Sequence, residues 1–475
     1  MKYINVALEE VIVHNNRQED QGNVLLGTEF FYNNPEFLKV LNPNSHKIKN
    51  EAEKEIGLTF PITVQEFDAL DEKVKGFIRK PGYGVSTEEI RYRYFHYKDC
   101  IKHDLKCIIP IKVDNQVIVD VDLNKLNFPS DLQGYIKSGK ALVIIYQDSE
   151  GFFFNHQHVK WFNDFAAKFR LNPDNFIVES ANLKWPEITK GYYLTNNEFT
   201  HRDTIKYTAK VNSNFMERLW FTNIPIHNIL DRGHHYTKFS QFLFNKIKKR
   251  HSKKLLCLQR RLSDIRTVIF YKLHTNQHLA KDSLYSLLNP YRSNLDQIKL
   301  GLRRLKLRDS EEICEWYENH FDIDKGYSLD RLDQDNNWAT ELNEDLHNNT
   351  FINVVIETHQ FPSSELFLSE KTFRSIYAAQ PFIIFGNPET LKYLKKYGYK
   401  TFSKFWDESY DEDVSIQERI DRLISTLEYI TSKSLDELNE WLPELQPILE
   451  HNFNILMSSK TVYKRNKELT EWIER

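Results

Sequence analysis

Glu370 and Lys371 stand side by side behind Ser369, in the stretch NVVIETHQFPSSELFLSEKTFRSIYAAQPFIIFG that runs from Asn353 to Gly386. At the first turn of a helix such a pair sits at the positive end of the helix dipole, where backbone N–H groups lack intrahelical partners. Phosphate oxygens fit those groups. A Lys there suits a diphosphate, and a neighbouring Glu suits the paired hydroxyls of a ribose. The residue types therefore describe a nucleoside-diphosphate site. The competing explanation is plain capping, since Glu-Lys pairs at helix starts are common and contribute only roughly 0.3 kcal/mol.

The elements that must position the pair are legible around it. An apolar strand ends in Glu357, a polar loop follows, and a helix opens at Ser369. A second buried strand, Pro381 to Phe385, closes on Gly386. Gly386, Asn387 and Glu389 come next. They either line the same pocket or start another helix, for which Asn387-Pro388 is well suited.

Basic residues gather earlier in the chain: Lys246, Lys248, Lys249, Arg250, Lys253, Lys254, Arg260, Arg261 and Arg266. For Lys246 to Lys254 a solvated helix face is the simpler reading. The arginines differ, because they follow the apolar run LLCLQ at 255–259, and ligands of open α/β sheets gather at the carboxyl ends of strands. An Arg fork can bind phosphate oxygens bidentately, which a Lys cannot.

Bulk properties fit a soluble enzyme. The 475 residues allow two or three domains, and 40% hydrophobic with 13% aromatic residues excludes a disordered chain. A net charge of −3 argues against a general polyanion binder. No apolar run approaches the ~20 residues of a membrane span. The opening MKYINVALEEVIVHNN carries acids inside its apolar part, so it does not read as a signal peptide. Cys100, Cys107, Cys257 and Cys314 show no metal-ligand spacing and read as reduced cytoplasmic thiols. Metal-binding Asp-x-Asp candidates are Asp120 with Asp122 and Asp333 with Asp335. Neither pair has a third ligand cluster nearby, and the first alternates as a half-exposed strand would.

Strands are expected at Cys107–Val113, Val117–Val121, Ala141–Tyr146 and Asn175–Glu179, with a helix at His156–Phe169. Strand alternating with helix marks an α/β layer. A basic amphipathic helix near Thr237–Ser252 gives the preferred boundary, so the domains read as 1–240, a basic linker at 241–252, 253–440, and terminal helices at 441–475. Beyond it, the helix after LLCLQ presents Ile265, Val268, Ile269 and Leu273 on one face. Capping boxes start helices at Ser415 with Glu418 and Ser434 with Glu437. Pro443 and Pro447 predict short or kinked helices at the end.

The segment 353–386 resembles the donor-site motif of fucosyltransferase-like GT-B glycosyltransferases, in which an acidic strand end precedes a Glu-Lys helix and an apolar strand ends in Gly. PFIIFGNPETLKYLKKYGYKTFSKFWDESYD at 381–411 and LLCLQRRLSDIR at 255–266 look closer still to uncharacterised glycosyltransferase-like proteins of tailed phages. The likeness covers about residues 250–430 and is thin over the first 240. Here the loop between Glu357 and Glu370 is longer than in the fucosyltransferases, and AAQPFIIFG replaces a more Gly- and Val-rich stretch.

The resemblance implies an α/β fold of the GT-B kind, with two Rossmann-like domains facing a cleft and terminal helices, from about residue 450, returning to the first. It implies transfer from a nucleotide-diphosphate sugar without a metal. Arg260 and Arg266 would share the diphosphate with Lys371, and the donor set would comprise Arg260, Arg266, Glu357, Ser369, Glu370, Lys371, Gly386 and Asn387. An inverting transfer needs a general base from the first domain. Glu150, after the strand 141–146, is the first candidate and Asp148 the second; both also read as turn carboxylates beside Gly151. Two alternatives stand beside this reading. One is a non-catalytic phage assembly protein that keeps the fold, and the other is a transferase acting on hydroxylated bases of phage DNA. No nucleic-acid-binding motif supports the latter.

Overall fold

A computed structural model describes residues 2–8, 64–69, 90–112, 128–146, 156–171, 175–179, 232–248, 251–259, 262–289, 293–329, 343–361 and 365–457. The chain divides into two compact units, Met1–Met216 with Ser459–Arg475, and Glu217–Ser458.

In the first unit the described elements are β1 (Lys2–Leu8), α1 (Val64–Asp68), β2 (Ile90–His96), α2 (Tyr97–Lys102), β3 (Cys107–Lys112), α3 (Ser130–Lys137), β4 (Ala141–Tyr146), α4 (His156–Phe169) and β5 (Phe176–Glu179). The strands form one parallel sheet in the order β2-β1-β3-β4-β5. Pro110 has no N–H to donate, and it lies beyond the two residues, Cys107 and Ile108, at which β3 pairs with β1. The core is aromatic on the α4 side, where Phe165 packs edge-on against Phe169 with centroids 5.0 Å apart. The strands expected near residues 107, 141 and 175 and the helix at 156 are present. The strand expected at Val117–Val121 lies outside the described residues, as do Asp120 and Asp122. The opening residues KYINVAL form β1, which pairs along its whole length with β2.

The second unit begins with α5 (Arg232–Lys248). It continues through β6 (Lys253–Gln259), α6 (Asp264–Thr275), α7 (Gln277–Asp282), β7 (Ser283–Leu287), α8 (Leu295–Leu305), α9 (Ser310–His320), α10 (Glu344–Asn349) and β8 (Thr350–Ile356). After these come α11 (Glu370–Tyr377), β9 (Phe382–Phe385), α12 (Thr390–Lys396), α13 (Ile416–Ser432), α14 (Leu435–Asn439) and α15 (Leu442–Met457). Its sheet is parallel in the order β7-β6-β8-β9. The second strand lies on one side of the first and the third on the other, so the winding reverses between β6 and β8. The first unit reverses the same way, between β1 and its neighbours. β8 and β9 are buried at every position, so both faces of these strands are covered although β9 lies at the edge of the sheet.

Three sequence expectations change in the packing. Helix α6 is buried nearly all round, with Arg266, Thr267, Phe270 and Tyr271 covered as well as the apolar face. Of the two capping boxes, that at Ser434 and Glu437 is complete. At Ser415 only the hydroxyl caps, because the Glu418 carboxylate instead takes Arg422 Nη2 at 2.5 Å. Pro447 does not break the terminal helix, since α15 runs 16 residues through it. The Leu445 N–H already bonds to the Trp441 carbonyl at 2.9 Å, so Pro447 removes one hydrogen bond from a helix that is established before it. That helix packs on α5 and α11 within the second unit, and residues 458–475 lie outside the described ones. No described helix is long and apolar enough to cross a membrane.

Three of the basic residues, Lys246, Lys254 and Arg266, are buried. Lys246 is 1% exposed and its ammonium donates to the carbonyls of His347 and Thr350. Lys254 donates to Asp282 Oδ2 at 2.7 Å and to the Thr431 carbonyl at 2.6 Å. Residues 241–252, read from the sequence as a linker with a solvated face, thus include the latter half of a helix packed into the second unit.

Candidate functional site

Glu357, the residue after β8, lies beside the carboxyl end of β9, where its N–H donates to the Phe385 carbonyl at 3.0 Å. Its side chain is fully buried beneath the start of α11. One carboxylate oxygen accepts the Ser369 N–H at 3.1 Å and the Thr372 hydroxyl at 2.6 Å. The other accepts the Ser369 hydroxyl at 2.5 Å. A carboxylate at a helix N-terminus with charge-assisted donors is well compensated for burial. Glu357 therefore anchors the helix start from inside, which corrects its expected place among groups turned toward a ligand.

Ser369 is the N-cap of α11, and its oxygen accepts the Lys371 N–H at 3.3 Å and the Lys371 ammonium at 3.1 Å. A hydroxyl has one proton and two lone pairs. Here the proton goes to Glu357 and both lone pairs go to Lys371, so its valence is filled. The ammonium is thereby folded back over the first turn of the helix, half-buried. Glu370 opens the helix beside it.

Gly386, at the end of β9, is needed for close approach. A Cβ there would fall 2.9 Å from Thr390 Oγ1 and 3.5 Å from the Glu357 side chain. Asn387 is fully buried, and its side-chain oxygen accepts the Phe367 N–H at 3.1 Å. Its carbonyl takes the Thr390 hydroxyl at 2.6 Å. Asn387 thus ties the loop before α11 to the turn before α12.

Arg266, from α6, reaches across the winding reversal and donates from Nη2 to the Ile356 carbonyl at 3.1 Å. It is 4% exposed, so its guanidinium stands behind the strand ends. Arg260 and Arg261 lie outside the described residues, as do Asp148, Glu150, Asp333 and Asp335. The structure therefore brings Arg266, Glu357, Ser369, Glu370, Lys371, Gly386 and Asn387 to one end of one sheet.

Arg419 was missed by the sequence reading, and it organises this end. Its guanidinium is buried among three carbonyls: Tyr410 at 3.0 Å, Gln360 at 2.8 Å and Gly386 at 2.8 Å. It also lies 4.6 Å over the Phe385 ring. Burial pulls its pKa down to about 10, against Asp411, Asp413 and Tyr410, which leaves it a cation at neutral pH. No spacing marks it, because two of its three carbonyl partners, Gln360 and Gly386, lie on segments far away in sequence. Gln360 links the system back, donating from Nε2 to the Glu357 carbonyl.

Asp411 supports α12 from another segment. It accepts the Leu391 N–H at 2.7 Å on Oδ2 and the Glu389 N–H at 2.6 Å on its carbonyl. Oδ1 has no hydrogen-bond partner. Burial pushes the carboxyl up to about 7, while the Leu391 N–H and Arg419 pull it down. A folded-state pKa above the unfolded value gives stability that is full below about pH 4 and lost as pH rises to about 7, with a ceiling of about 4 kcal/mol. Asp411→Asn keeps an acceptor for Leu391 and cannot ionise. It is expected to be about 1–3 kcal/mol more stable than the wild type at pH 8, with a flatter profile between pH 4 and 7 in urea titrations. Equal pH profiles for the two proteins would refute this.

Among the described residues no group of three or more His, Cys, Asp or Glu side chains is placed to hold a metal ion. Compared with known proteins, the chain matches no family model and no curated sequence.

Proposed function

We propose that the chain is a glycosyltransferase that moves a sugar from a nucleoside-diphosphate donor to a hydroxyl acceptor, with its two α/β units in the GT-B manner. One arrangement carries the reading: Lys371, folded onto the N-cap hydroxyl of α11, at the same carboxyl end of the sheet where Arg266 reaches β8. Ligands of such sheets gather at this end, beside the winding reversal. The Lys371 ammonium supplies positive charge to the leaving diphosphate. Glu370 is assigned to the ribose hydroxyls. Arg266 adds positive potential from behind the strand ends, and Arg260 is assigned to the same diphosphate.

In the reaction the acceptor oxygen attacks the anomeric carbon, the bond from that carbon to the diphosphate oxygen breaks, and the acceptor proton passes to a base. Glu150, or failing that Asp148, is assigned that role in an inverting transfer.

A thermal-shift panel of UDP, GDP, CMP and their sugars tests the reading. A ligand at a hundred times its dissociation constant stabilises the native state by ~2.7 kcal/mol. One nucleoside diphosphate is expected to raise the melting temperature, and Lys371→Ala is expected to weaken its binding by about 2 kcal/mol, roughly thirtyfold in Kd. Equal shifts in both proteins would remove Lys371 from the site. No shift with any nucleotide would remove the donor assignment altogether.

A further inference from the structure

At the opposite, amino edge of the second sheet lies a buried cluster that the proposed transfer does not use. Lys246, near the end of α5, donates to the carbonyls of His347 and Thr350, where α10 passes into β8. His347 Nδ1 lies 2.6 Å from Gln380 Oε1. The Gln380 amide is oriented by its own Nε2, which donates to the Thr350 carbonyl at 3.1 Å and the Thr350 hydroxyl at 2.9 Å. Its oxygen therefore faces the imidazole, and Nδ1 of His347 carries the proton. His251, just before β6, meets the Asn348 carbonyl through Nδ1 at 3.2 Å. A carbonyl only accepts, so that nitrogen carries the proton as well. Nε2 of His251 is buried without a hydrogen-bond partner.

Both imidazoles thus carry a proton on Nδ1 at 3% exposure each, and burial disfavours a second proton on either ring. The charges that bear on them are cationic: Lys246 on both, and Arg374 of α11 on His347. The acids of the surrounding elements are turned elsewhere. Glu344 of α10 pairs with Lys238 of α5 at 2.8 Å, and Asp345 is exposed. Of the charged groups on β6, Lys254 pairs with Asp282 and Lys253 donates to the Lys281 carbonyl. On α15, Glu444 meets Lys404, Glu450 takes the Gln446 amide, and His451 Nε2 lies 2.7 Å from the Gly398 carbonyl. Lys248, past Lys246 on α5, is exposed.

We propose that Lys246, His251 and His347 form an acid-sensitive latch that holds α5 to the amino edge of the second sheet and releases it when the imidazoles take up protons. A proton added to either ring enters a buried site shared with the Lys246 amine, whose own pKa burial holds well below its ordinary value. Burial and Lys246 lower His251 to about 4, against the Asn348 and Lys246 carbonyls. Burial also lowers His347 to about 3, with Lys246 and Arg374 adding to it and Gln380 opposing. Released histidines titrate near 6.5, so the closed latch is fully stable above about pH 6.5 and weakens as pH falls toward 4. Asp411 acts with the opposite sign over part of this range, so the readout must be local to α5.

Hydrogen exchange followed by mass spectrometry on peptides covering 232–248, corrected for intrinsic rates, reads the latch directly. Between pH 7 and pH 5 the opening constant of α5 is expected to rise on the order of several hundredfold, since each ring contributes roughly twentyfold. In the double variant His251→Asn and His347→Asn, each side chain keeps a donor near the position of Nδ1–H and cannot become charged, so the rise is expected to stay under about fivefold. If the double variant does not fold, His251→Asn alone is expected to reduce the rise by roughly twentyfold. The same rise in wild type and variant, or no rise in the wild type, would overturn the latch.

Discussion

Arg419→Ala is expected to cost the second unit about 4 kcal/mol or more, the largest stability loss of any single change in this region. The truncation strands three carbonyls, those of Gln360, Gly386 and Tyr410, in a site without water access. Each buried acceptor left unsatisfied costs roughly 1–3 kcal/mol, and the lost contact with Phe385 and the cavity add to that. Native domains hold only about 5–15 kcal/mol in all. Urea unfolding should show a midpoint far below that of the wild type. Arg419→Lys should fall between, because one ammonium on a flexible stem cannot match a planar fork that meets three carbonyls. An Arg419→Ala protein within about 1 kcal/mol of wild type would show that the three loops hold themselves without the guanidinium.

The second large effect is expected at Glu357. Glu357→Ala leaves the Ser369 N–H and the Ser369 and Thr372 hydroxyls facing a void, for a loss of about 3–5 kcal/mol. Glu357→Gln keeps the shape but turns an amide N–H₂ toward donors, for a loss of about 1–3 kcal/mol. Lys371→Ala serves as the contrast. Its side chain is half-buried at the surface of the first turn, and its removal is expected to cost under about 1 kcal/mol of stability. The pair separates scaffold from ligand contact: unfolding midpoints should follow Glu357, and nucleotide affinity should follow Lys371. Glu357→Gln with wild-type stability would place the carboxylate outside the support of α11.

These two residues also show how far local pattern reaches. The run from Asn353 to Gly386 was legible as strand, loop, helix and strand, because an apolar run, a Ser cap and a closing Gly are local signals. The direction in which Glu357 points was not, since a carboxylate at a strand end reads alike whether it faces solvent or the next helix. The same holds for Asn387, which could be a helix start or a pocket wall by type alone. Lys246 reads as part of a basic, solvated face until α10 and β8 are laid against α5 and supply two carbonyls for its ammonium.

Residue type and spacing were sufficient for the alternation of strand and helix, for the apolar runs at the centre of the buried strands, and for the Ser369–Lys371 turn. They carry that information because side-chain periodicity and capping are decided within a few residues. The strand order, with its reversal between β6 and β8, arises only when segments far apart in the chain pair. The roles of Arg419 and Asp411 arise the same way, from acceptors and donors contributed by distant segments. A buried polar group has to find its partners wherever the packed chain places them.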